Sequence, residues 1–172
     1  MNYREGRLEE AVAAWERAER LAPDRSVAER LERARASLAL EKRLDHDVST
    51  NFTIYFEMER HAVLASLVLR ELEDAHAVVR AELHAVARDR LKIVLLGTEE
   101  FREVTGAHTW MAGLFDGQIR IPVKDAGDRR DELLRRARHE YVHAVLAPLG
   151  RRAPSWLHEG LAQIHEGRDA AP

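Results

Sequence analysis

Two stretches near the end of this chain govern how it is read: His139-Glu140-Tyr141-Val142-His143, and Pro154-Ser155-Trp156-Leu157-His158-Glu159-Gly160-Leu161-Ala162. The first sits in a helical pattern over residues 128–146 that Pro148 and Gly150 stop. An α-helix turns about 100° per residue, so His139 and His143 lie roughly 40° apart on its wheel, with Glu140 roughly 60° beyond His143. All three share one face. Leu133, Ala137, Tyr141, Ala144 and Pro148 form a separate apolar face, which keeps the two imidazoles out of the core. At this spacing both histidines reach one zinc ion at about 2.0–2.1 Å, and Glu140 points at the open coordination position, where a water would sit.

A catalytic zinc takes a third protein ligand, and Glu159 is expected to supply it. Ser155 is expected to cap a last helix from Trp156 to about Glu166, with Gly167 beyond it. The first helix runs about one turn past His143, and Glu159 sits about one turn into the returning helix, so an antiparallel pair brings them level. Axes about 8–10 Å apart leave room for a bridging ion. Gly160 is read as easing that approach, and Gln163 and Glu166 as candidates to orient the imidazoles from behind. The chain has no cysteine, so a thiolate site and disulfides are excluded. His46, His61, His76, His84, His108 and His165 lack a partner at ligand spacing and are read as surface or hydrogen-bonded side chains.

Upstream, the alternation of Phe52, Ile54 and Phe56 with Thr53 and Tyr55 predicts a first strand. Leu64, Val68, Leu72, Ala75, Val79, Leu83 and Val86 predict a long helix covering one face of the sheet. Leu91-Lys92-Ile93-Val94-Leu95-Leu96 predicts a central, buried strand, followed by a short helix capped by Thr98. Gly113-Leu114-Phe115-Asp116-Gly117-Gln118-Ile119-Arg120-Ile121-Pro122-Val123 reads as a strand or tight hairpin turning at Asp116-Gly117. Pro122 suits an edge position there, and an exposed edge is a place for an extended peptide. Trp110 and Phe115 are read as core residues with a lesser case for lining a substrate pocket.

The beginning of the chain is helical. Leu8, Ala11, Trp15, Ala18 and Ala22 mark one face before Pro23, and Asp24 or Ser26 can cap a second helix whose face is Val27, Leu31, Ala34 and Leu38. Gly6, Ala11, Trp15, Ala18 and Pro23 resemble the second helix of a tetratricopeptide repeat, over about half a repeat. One such unit cannot bury its face alone, so further repeats are expected upstream.

With both motifs and the 113–123 stretch in view, the chain resembles the gluzincin zinc peptidases, and more narrowly the peptidase-MA-like domains that follow tetratricopeptide repeats in bacterial proteins. The resemblance spans residues 51–167. It implies an α+β, zincin-like metalloprotease domain: a mixed sheet with an edge strand over an H-E-x-x-H active-site helix, preceded by two amphipathic helices of tetratricopeptide type. It implies His139, His143 and Glu159 as zinc ligands and Glu140 as general base, in agreement with the helix geometry. It further implies a peptide or protein substrate added along the edge strand, and protein partners for the repeat helices. Family members continue well past the third ligand, whereas this chain ends at Pro172; part of the cleft wall is therefore expected to be missing. Gluzincins draw a Tyr or His from that later part to stabilise the oxyanion, and only His158 and Tyr141 offer themselves here.

The expected division is thus residues 1–45, repeat-type helices and a linker, and residues 46–172, the peptidase domain. The expected function is zinc-dependent hydrolysis of peptide bonds through a zinc-bound water activated by Glu140. The alternative is a catalytically inactive zincin-like scaffold that uses its repeat helices for protein–protein interaction. A net charge of −3, from 27 basic and 30 acidic residues, gives no reason to expect nucleic acid or an anionic membrane as partner. The basic pairs Arg129-Arg130 and Arg135-Arg136 are read as a solvated helix face. No stretch approaches the roughly 18 apolar residues of a membrane span. Together with the bacterial setting that the resemblance implies, a soluble protein, cytoplasmic or exported, is the expectation.

Overall fold

A computed structural model describes residues 8–87, 90–106, 113–115, 117–124, 130–152 and 154–167. The expectations placed on Gly6, His108, Trp110, Asp116, Arg129 and the start of the active-site helix at 128 lie outside the described residues.

Helix α1 (Leu8–Leu21) and helix α2 (Arg25–Glu41) fold back on each other across Ala22-Pro23-Asp24. Of the two candidate caps for α2 the chain uses Asp24, whose carboxylate accepts from the backbone N–H groups of Ser26 at 2.8 Å and Val27 at 3.2 Å. Those donors would otherwise have no partner in the first turn. The apolar stripe of α1 is deepest at Leu8 and Ala11, while Trp15 is half-buried with the Arg30 guanidinium 5.4 Å from its ring centroid.

Strand β1 (Asp45–Val48) is all exposed residues and carries no alternation by which it could be foreseen; it exists because it pairs antiparallel with β2 (Phe52–Phe56). Helix α3 (Met58–Leu83) stops at His84, which takes a left-handed φ of 50°, so Val86 falls outside the stripe expected to include it. Strand β3 (Leu91–Gly97) leads straight into α4 (Thr98–Thr105). The cap of α4 is Gly97, not Thr98: the Glu100 carboxylate reaches back to accept from the Gly97 N–H at 3.1 Å. Strands β4 (Leu114–Phe115) and β5 (Ile119–Val123) form the hairpin, and α5 (Arg130–Leu146) carries the histidine motif. A 3₁₀ segment, Ala147–Arg152, leads to α6 (Ser155–Glu166), whose N-cap is Pro154; Ser155 is already inside the helix and caps nothing.

Among the described residues the sheet has five strands in the order β1-β2-β3-β5-β4, with antiparallel outer pairs and parallel inner pairs. The class is α+β with a mixed sheet. The edge is the short β4, so β5 is one strand in and Pro122 is not on an edge strand. Pro122 pairs with Leu96 of β3 and lies past Arg120, beyond the described β4 ladder, a position that a residue without an N–H tolerates.

Alternation then sorts the side chains onto two faces. Phe52, Ile54, Phe56, Ile93, Leu95, Ile119 and Ile121 pack against α3 and α5. Val94 and Leu96, on the other face, meet Phe101 and Val104 of α4 and Leu40 of α2. Helix α5 is thus held between the sheet, α3 and α6, close under β4. Among the described residues no helix is long and apolar enough to cross a membrane.

Candidate metal centre

Leu133, Ala137, Tyr141 and Ala144 turn α5 toward the sheet and α3, and all four are buried; Pro148, in the 3₁₀ segment, is exposed. With the apolar stripe fixed this way, the helical period leaves Arg136, His139, Glu140 and His143 on the opposite side. They line a cleft of about 650 Å³ whose other walls include Gly113 to Phe115 and Glu159. Helix α6 returns antiparallel and brings Glu159 level with the two histidines, as its spacing predicts.

The three ligand candidates converge. His139 Nε2 and His143 Nε2 are 3.1 Å apart, and the Glu159 carboxylate oxygens lie 3.6 Å from the first and 3.5 Å from the second. Donors about 2.0–2.1 Å from a common tetrahedral centre stand about 3.3 Å from one another. The observed spacing fits that figure, and the two carboxylate contacts are too long for good hydrogen bonds. Two imidazoles and one carboxylate at this spacing form a set that could hold a metal ion.

The protonation states fit as well. Glu166 Oε2 accepts from His139 Nδ1 at 3.1 Å, which assigns the proton to Nδ1 and turns the Nε2 lone pair into the cleft. Of the two candidates to orient an imidazole, Glu166 does so and Gln163 faces solvent. Burial holds His143 below its ordinary value; His139 and His158 add to this and Glu159 opposes it. A neutral imidazole is the ligating form. Glu166→Gln should weaken zinc binding by about 10- to 100-fold in a competition titration with a chelating dye. An unchanged affinity would show that His139 is oriented without it.

Glu140 is 9% exposed, and burial pushes its carboxyl up to about 7, with the Glu159 charge adding to the rise. Gly113 permits this enclosure. A Cβ there would lie 2.8 Å from Cγ and Oε1 of Glu140, so the chain entering β4 passes directly over the carboxyl group. The metal-free protein should register the burial as pH-dependent stability. Between 4.5, the ordinary value, and about 7 the folded chain holds a proton that the unfolded chain releases. Stability from this group is therefore full below 4.5 and is lost as pH rises through 7. Glu140→Gln is expected to be more stable than the parent in urea at pH 8, by up to about 3 kcal/mol, with the gap closing toward pH 4.5. A gap independent of pH would contradict this.

Three readings need correction. Gly160 does not ease the helix approach, because a Cβ there would meet nothing within 4 Å. Tyr141 is fully buried and its hydroxyl is 2.9 Å from His76 Nδ1, so it is on the core side of α5 and outside the cleft. Arg135 is exposed as a solvated basic pair requires, yet Arg136 is only 8% exposed and lines the cleft beside His139. His158 also lines the cleft, with its Nε2 enclosed and lacking a hydrogen-bond partner.

No protein-family model, curated protein or solved structure matches this chain.

Proposed function

We propose that the chain is a zinc-dependent peptidase of gluzincin type, with His139, His143 and Glu159 as ligands and Glu140 as general base. The observation that carries this reading is the 3.1–3.6 Å spacing of three ligand atoms from two helices, with a protonatable carboxyl enclosed on the same face. A zinc ion held there would polarise a scissile carbonyl and acidify a water. Glu140 would accept the proton from that water and pass it to the leaving amine. His139 is kept in the ligating tautomer by Glu166, and Glu159, on the exposed side, leaves the centre open to solvent.

Strand β4, the edge of the sheet among the described residues and beside Glu140, favours an extended peptide as substrate, added as a further strand. In this reading the α+β framework is a zincin-like domain, and α1 and α2 are repeat-type helices with protein partners of their own. The test is cleavage of a quenched-peptide library by the chain loaded with one equivalent of zinc. Turnover that a chelator abolishes and zinc restores is the expected result. Stoichiometric zinc without turnover of any peptide would favour a binding protein over an enzyme.

A further inference from the structure

We propose that Gly113 is a positioning residue for the general base: the side chain it lacks is the space that the Glu140 carboxyl occupies, so a Cβ at 113 lowers turnover while sparing zinc and substrate binding. The role of Glu140 in this inference rests on the peptidase reading.

The backbone does not itself demand a glycine here. Gly113 is without the left-handed φ that Gly106 takes at 64° and Gly117 at 109°, so an alanine can adopt its conformation. What the position lacks is room. A Cβ would stand 2.8 Å from Cγ and Oε1 of Glu140 and 3.0 Å from Cδ, and among the described residues these are the nearest atoms beyond the adjoining chain.

Both walls of the contact are anchored. Directly after Gly113, Leu114 pairs with Arg120 and packs against the α4 side of the sheet, and Phe115 pairs with Ile119 and packs against the main core. On the other wall Ala137 and Tyr141, with no exposed surface, tie α5 to the sheet and α3. The carboxyl is therefore the part that gives way. Carbon atoms settle about 3.5–4.0 Å apart, so the gap must open by about 0.7 Å or more. Because Cγ itself is in the clash, turning the carboxylate about its last bond brings no relief, and the side chain must change rotamer or shift as a whole. A misplacement of about 1 Å at a reacting group costs on the order of 10²-fold in rate.

The experiment compares the zinc-loaded full chain with Gly113→Ala, alone and combined with Glu140→Gln, on one quenched peptide that the parent cleaves, with kcat expressed per bound zinc. Gly113→Ala should lower kcat by about 10- to 100-fold, with KM within about threefold of the parent and one zinc still bound per chain. In the Glu140→Gln background the residual turnover should change by less than about twofold, because the base is already gone. A residue that only shaped the edge strand for the peptide would instead raise KM, and one that only held the fold would lower turnover equally in both backgrounds; either result overturns the proposal. Urea unfolding of the metal-free chains locates the contact even where Gly113→Ala alone folds poorly. The substitution should destabilise the parent but not Glu140→Ala, whose side chain ends before Cγ, and equal destabilisation of both would also overturn the proposal. Turnover by the parent is scored separately. A parent that cleaves no peptide sinks the peptidase reading and this assignment with it, whereas an active parent matched by Gly113→Ala sinks this assignment alone.

Discussion

Glu140→Gln should reduce peptide hydrolysis by about 10³-fold while the variant still binds one zinc ion per chain. The two halves of this expectation come from different parts of the geometry. Glutamine is nearly isosteric, so it keeps the packing under Gly113, where the carboxyl is closed off by main chain. It cannot accept a proton, and a general base positioned at a reacting water contributes roughly 10²–10⁴ in rate. Zinc retention follows because the three ligand atoms within 4.8 Å of one another belong to His139, His143 and Glu159. If the variant lost zinc along with activity, Glu140 would belong to the ligand set and the division of roles would be wrong. If it kept activity, the base would have to be sought elsewhere in the cleft.

His143→Ala should abolish both zinc and turnover. If zinc binds with about 10–16 kcal/mol shared among three protein ligands, removing one costs roughly 4 kcal/mol, on the order of 10³-fold in affinity. The remaining imidazole and carboxylate would not hold the ion against a moderate chelator. His158→Ala is the informative control, because His158 lines the same cleft but is not among the three converging ligands. Dialysis against chelator followed by metal analysis should find about one zinc per chain in the control and nearly none in His143→Ala. Equal loss in both would mean that the ion is held by a different set.

How far the primary structure reveals this arrangement depends on whether a feature is periodic or tertiary. The histidine face of α5 is legible because 3.6-residue geometry alone places His139, Glu140 and His143 on a face distinct from Leu133, Ala137 and Tyr141. Glu159 is legible because Pro148 and the pattern after Pro154 limit how the second helix can return. The central strand is legible as an unbroken apolar run, Ile93 to Leu96, buried on both faces. Strand β1 is not, because Asp45, His46, Asp47 and Val48 are all exposed and only their pairing with β2 makes them a strand. The caps of α4 and α6 fall one residue earlier than the hydroxyl residues suggest, since Glu100 serves Gly97 from inside α4 and Pro154 sets the start of α6.

At the site itself, the passage of Gly113 over Glu140 joins positions far apart in the chain, and no local pattern announces it. Arg136 is hidden for a related reason. A basic pair with acids nearby has the composition of a solvated face, and only the position of β4 and α6 turns one member of the pair inward. The expectation for Gly160 fails for the opposite reason: the residue follows Glu159 directly, but its own position on α6 is open, with nothing within 4 Å of a Cβ there.

The most direct test of the central claim is anomalous diffraction at the zinc edge from crystals of the zinc-loaded chain. The account predicts one strong peak per chain, about 2.0–2.1 Å from Nε2 of His139 and of His143 and from a Glu159 oxygen. A peak at other residues, or none between these three after loading with equimolar zinc, would contradict it.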